Sequence, residues 1–129
     1  LVKFVLREDG WKKIEEILRE GECVSLDHVG KEAANAIWRR AVITKEESPE
    51  DALNRLKALM NLIREDVLTL HNEIDYIEEA FNIAISNHIT VYDALYIAQA
   101  VVNKAVLVTS DKKQASVAAR LGITVKYIE

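Results

Sequence analysis

Three acidic side chains, Glu32, Asp93 and Asp111, stand where carboxylates could do chemistry. Two of them fall in the most apolar stretch of the chain, "TVYDALYIAQAVVNKAVLVTSDKK", residues 90–113. A carboxylate beside a segment bound for the interior is costly unless it caps a helix, pairs or meets a cation. Thr90-x-x-Asp93 has the spacing of a capping box, and Asp111 follows "AVLVTS" at a strand-to-helix junction, where an acid serves as an N-cap. Glu32, Asn35 and Arg39 lie opposite the Ala33, Ala34 and Ile37 stripe on a helical wheel, which is the pattern of a solvated face. Capping does not exclude a cation, because a carboxylate in a first turn can do both. Hard divalent ions prefer oxygen ligands, and Mg²⁺ keeps several waters while held by one or two carboxylates and a substrate phosphate. Such an ion activates water and stabilises charge on a departing oxygen.

Helices and short strands alternate around these acids. "DGWKKIEEILREGE" reads as an amphipathic helix with Asp9 as N-cap, Trp11, Ile14, Ile17 and Leu18 on one face and Gly21 at its end. "CVSL" is a short strand, and "DHVGKEAANAIWRRAVI" resumes helical spacing through Val29, Ala33, Ile37 and Trp38. "SPEDALNRLKALMNLIRE" has Ser48 as cap, Pro49 at the first position and a stripe of Leu53, Leu56, Met60 and Ile63. "DVLTL" is a second strand, and "NEIDYIEEAFNIAISN" is capped by Asn72 and carries Ile74, Ile77, Phe81 and Ile85 on one face. A helix apolar nearly all round opens at Thr90. "AVLVT" then forms a buried strand, "SDKKQASVAARLG" a helix ending at Gly122, and "TVKYI" the last strand. Periodicity leaves "LVKFVL" open between strand and helix. Strands separated by helices imply parallel pairing and an α/β class, with ligands beyond the carboxyl ends of the strands, where Asp111 sits.

The 129 residues suit one domain, residues 1–129. Half are hydrophobic and 29% charged, the balance of a folded chain rather than a disordered one. A net charge of −4 means that any nucleic-acid contact must rest on a local basic patch. Cys23 is the only cysteine, so no intrachain disulfide and no multi-cysteine zinc or dithiol motif is possible, and a reducing, cytoplasmic location is expected. No apolar run approaches the roughly 20 residues of a membrane span, so no membrane partner is expected.

The segments "KEAANAIWRR", "ITVYDALYIAQA" and "AVLVTSDKK", in that order, with "SLDHVGKEAANAIW" early and "ARLGITVKYI" late, resemble the PIN-domain family, in particular its small VapC-type toxin ribonucleases. The resemblance covers essentially the whole chain. It implies a parallel-sheet, three-layer α/β/α fold and a metal-dependent endoribonuclease that hydrolyses RNA phosphodiester bonds. The Glu of the family's E-x-x-N helix falls on Glu32 with Asn35 beside it. The acid of the D-A-x-Y helix falls on Asp93 with Tyr96, and the last acid, in T-x-D, on Asp111, with Thr109 orienting it. These carboxylates are implied to hold Mg²⁺, or Mn²⁺, as the catalytic centre. The family's first aspartate, at the end of the first central strand, has no counterpart here, and that strand is expected upstream of Leu1, which makes "LVKFVL" the helix after it. Lys3, Arg7, Arg39, Arg40, Lys45, Lys112 and Lys113 flank the site in sequence as cations for RNA backbone, with Lys3, Arg39 and Lys112 foremost. Trp11 and Trp38, on apolar helical faces, are expected in a core or a dimer interface. The resemblance further implies a homodimer and a VapB-type antitoxin partner. A non-catalytic PIN-like protein- or RNA-binding module is the alternative. A receiver-like signalling domain would need paired acids after its first strand and a late lysine, neither of which can be placed.

Overall fold

The structure, a computed structural model, describes residues 1–129. The chain divides into two compact units, Leu1–His71 and Asn72–Glu129.

In the first unit, "LVKFVL" resolves as a helix. α1 (Val2–Val5) is followed by α2 (Trp11–Glu20), β1 (Cys23–Leu26), α3 (Val29–Val42), α4 (Pro49–Arg64) and β2 (Leu68–His71). α1 is short, and its last carbonyls are met by side chains from other helices. Arg40 donates to the Leu6 carbonyl at 2.8 Å and Arg55 to the Val5 carbonyl at 3.1 Å. Arg40 also pairs with Glu46 at 3.2 Å, and Arg55 with the buried Glu47 at 2.6 Å. Besides Arg40, two more of the cations expected to flank RNA have structural partners: Lys3 Nζ donates to the Asp9 carbonyl at 3.3 Å, and Arg7 lies over the Trp11 ring at 4.7 Å. Leu6, Ile37 and Ala52 form a buried cluster where α1, α3 and α4 meet, flanked by Val2, Val5, Ala36, Ala41 and Leu56. β1 and β2 pair in parallel, Cys23 with Leu68 through Leu26 with His71, because α3 and α4 carry the chain back across.

Several local expectations change. The N-cap of α2 is Gly10 in the left-handed region (φ 93°), not Asp9, because the chain turns between the two helices through a conformation that glycine adopts without steric cost. On α4 the fully buried positions are Ala52 and Leu59; of the expected stripe Leu56 packs against the buried cluster and Met60 and Ile63 are half-buried, while Leu53 is exposed. The helix carries leucines on more than one side, so the wheel alone selected its inner face only in part. Trp38 is 51% exposed and does not belong to the core. The Ser48 cap stands as expected, its hydroxyl accepting the Asp51 N–H at 3.1 Å, with Pro49 at the first position.

The second unit opens with a 3₁₀ turn (Glu73–Tyr76) and continues through α5 (Ile77–Asn87), α6 (Val91–Asn103), β3 (Leu107–Thr109), α7 (Lys112–Arg120) and β4 (Val125–Tyr127). Asn72 caps the turn, its side chain accepting the Ile74 N–H at 3.1 Å. α5 packs on α6, but through Ala80, Ile83 and Ala84, while the expected stripe of Ile74, Ile77, Phe81 and Ile85 faces outward. Small residues let two helices approach closely, so the alanine face turns inward against a helix that itself buries Ala94, Leu95, Ile97, Ala98, Gln99 and Ala100. β3, α7 and β4 form a βαβ unit with Leu107 opposite Val125 and Thr109 opposite Tyr127. α7 ends in a paired terminus: the Ile123 N–H reaches the Ala118 carbonyl at 3.0 Å, the Gly122 N–H reaches that of Ala119 at 3.1 Å, and Gly122 takes φ 80°. The class is therefore helix-rich α/β with parallel strands throughout.

Candidate functional site

Asp93 and Asp111 lie in the same unit, each in the opening turn of a helix. Asp93 is half-buried at the third position of α6, and its N–H donates to Thr90 Oγ1 at 3.2 Å. That bond is the Thr half of the expected capping box. Asp111 is exposed, and as N-cap of α7 its Oδ1 accepts the Gln114 N–H at 2.9 Å. Thr109 is buried at the end of β3. Its hydroxyl accepts the Asp111 backbone N–H at 3.0 Å, so it orients Asp111 through the main chain rather than through the carboxylate.

The two acids are linked by a residue that sequence analysis did not single out. Gln114, 7% exposed, accepts the Thr109 hydroxyl proton on Oε1 at 2.5 Å and donates from Nε2 to the Asp93 main-chain carbonyl at 3.0 Å. Asp111-x-x-Gln114 has capping-box spacing, and that was the signal available. Its partner on α6 is 21 residues away in sequence, which no local pattern reveals. Tyr96 follows Asp93 by one turn of the same helix and is half-buried.

Glu32 belongs to the first unit. It projects from the first turn of α3 with its side chain 47% exposed, and Oε1 lies 3.2 Å from Nε2 of the buried His28. His28 was assigned no role from sequence, although its i, i+4 spacing to Glu32 is the usual one for facing helical side chains. Asn35 and Arg39 are exposed on the same side of α3, as the wheel indicated, with Ala33 and Ile37 buried. Lys112 and Lys113 are exposed directly after Asp111.

Asp93 and Asp111 each offer oxygen donors of the kind that hard divalent cations take. A carboxylate offers two oxygens and about four acceptor sites, so the N–H bond on Asp111 Oδ1 leaves capacity for an ion. Cysteine chemistry has no support. The Cys23 Sγ faces the Ile17 carbonyl at 3.5 Å, and burial pushes its thiol above the ordinary range, against thiolate formation. No helix is long and apolar enough to cross a membrane.

With parallel βαβ pairing and acids opening the helices, the comparisons with known proteins agree. The PIN domain model matches residues 1–120, and the chain belongs to the PIN-domain family. The chain is also similar to Ribonuclease VapC3 of Pyrobaculum aerophilum, with 32% identity over 97 residues that span 73% of this chain and 70% of that protein.

Proposed function

We propose that this protein is a metal-dependent endoribonuclease that hydrolyses RNA phosphodiester bonds, the toxin of a VapBC-type pair. The observation that carries the reading is the joining of Asp93 and Asp111, the opening acids of α6 and α7, through one buried glutamine. Family membership and the name of the similar ribonuclease support it. Asp93, Asp111 and Glu32 are the proposed ligands and catalytic carboxylates for Mg²⁺, with Mn²⁺ as a substitute, and Asn35, Tyr96 and Thr109 support them.

When bound, the cation supplies a lowered pKa for water and charge stabilisation at the scissile phosphate. The chain's own part is positional. The caps hold the Asp93 and Asp111 backbones, so the carboxylates are presented without a large ordering cost. Lys112, together with Lys3 and Arg39, is proposed to meet backbone phosphates, which position RNA without reading its sequence. The family match runs through both compact units, supporting one PIN-like domain over residues 1–129. A homodimer, a VapB-type antitoxin and a cytoplasmic location complete the proposal.

The test is cleavage of single-stranded RNA with Mg²⁺ or Mn²⁺ present and after chelation. Asp93→Asn keeps size and polarity but removes the charge, and is expected to lower kcat at least 100-fold, the order seen when a directly acting group is lost, with the thermal midpoint retained. Equal cutting by wild type and Asp93→Asn, or cutting unaffected by chelation, would overturn the metal-dependent assignment, and no cutting by wild type with either metal would favour a non-catalytic binding module instead.

A further inference from the structure

We infer that Gln114 is a positioning residue that sets the mutual placement of Asp93 and Asp111 for the cation. The inference rests on the metal centre proposed above. In a capping box the residue three positions after the cap turns its side chain back to the cap's own N–H. Here Thr109 Oγ1 already takes the Asp111 N–H at 3.0 Å. Gln114 is thereby released from that duty, and its amide points elsewhere, with Oε1 on the Thr109 hydroxyl and Nε2 on the Asp93 carbonyl. Both main-chain groups of Asp93 are consequently held by side chains, its N–H by Thr90 and its carbonyl by Gln114. Asp111 is fixed at its N–H by Thr109 and at its carboxylate by the Gln114 N–H. One buried residue therefore bonds to both acid-bearing turns.

The chemistry requires such a strut. Two anions brought to one cation repel when it is absent, and a neutral tie between the turns that carry them opposes that repulsion. An uncharged amide does this through one donor and one acceptor without adding charge. Groups that orient metal ligands from behind change metal affinity about 10- to 100-fold when removed.

The test uses the full chain and isothermal titration with Mn²⁺ alone. Gln114→Met keeps the volume and deletes both side-chain bonds. Gln114→Asn keeps the amide but is one methylene too short to reach both partners, and it leaves the pocket polar should the methionine variant fail to fold. Each folded variant is expected to bind Mn²⁺ at least about 10-fold more weakly than wild type. RNA KM should be retained and kcat partly restored by raising Mn²⁺, a recovery that a purely structural defect would not show. Mn²⁺ affinity within twofold of wild type in either folded variant overturns the inference. Asp93→Asn and Asp111→Asn run alongside: if these bind Mn²⁺ unchanged, the metal centre itself falls, whereas if they lose binding and the Gln114 variants do not, only the role of Gln114 falls.

Discussion

Asp111 has one shown purpose, as a cap, and one proposed, as a ligand. Its Oδ1 caps α7, worth about 1 kcal/mol in ordinary helices, and this structural use holds the group where a cation could be met. At Asp93 the residue is fixed by its main chain, which leaves the carboxylate for the proposed cation. Lys112, the next residue after the Asp111 cap, is exposed with no structural task of its own to explain it. If it meets a phosphate, Lys112→Ala raises RNA KM several-fold at low salt while kcat is kept. It also flattens the plot of log affinity against log salt by about 0.7, the value of one contact to a single strand. An unchanged slope would remove Lys112 from the interface. At this scale much was legible in advance, because caps depend on residues two to four positions apart. Asp93 and Asp111 were found that way. Gln114 was not, since its defining bond joins residues 21 apart.

The helices place these residues by how they start and stop. α7 is bounded by the Asp111 cap at one end and by Gly122 at the other, and nothing lies within 4 Å of a Cβ built on that glycine. Gly122→Ala therefore meets open space, and its cost is that of a left-handed backbone alone, about 1 kcal/mol. Thermal denaturation should show a drop of a few degrees with RNA cleavage intact; an unchanged midpoint would mean that the turn relaxes freely. Strand and helix order, the Ser48 and Asn72 caps and the Gly122 stop were all legible, each having a short-range cause. The inner face of α5 was not, and that of α4 only in part. Both helices carry large apolar residues on more than one side, and the choice fell to their neighbours: α5 turned its alanines inward because α6 offered an alanine-rich surface for close approach.

At the level of the whole molecule, that choice leaves Ile74, Ile77, Phe81 and Ile85 exposed on one side, with Phe81 at 53% and Ile85 at 60%. Contiguous exposed apolar residues of this size usually mark an interaction surface, which supports the proposed homodimer. Phe81→Lys should shift the protein toward monomer in size-exclusion chromatography with light scattering, without loss of helicity. A dimer that persists in this variant would assign the interface elsewhere. The net charge of −4 sets the complementary requirement that any RNA be met by a few local cations and not by the molecule as a whole.

The sequence by itself determined the alternation of helix and strand, hence the parallel α/β class, and the identity of the acids that open α6 and α7. These follow from periodicity and capping, which act over a few residues. Only the tertiary structure decided which face of α5, and in part of α4, is buried and which neutral side chain ties one acid to the other. Those outcomes depend on surfaces and hydrogen-bond partners brought together from distant parts of the chain, and a glutamine three residues into a helix carries no local mark of the partner it will find.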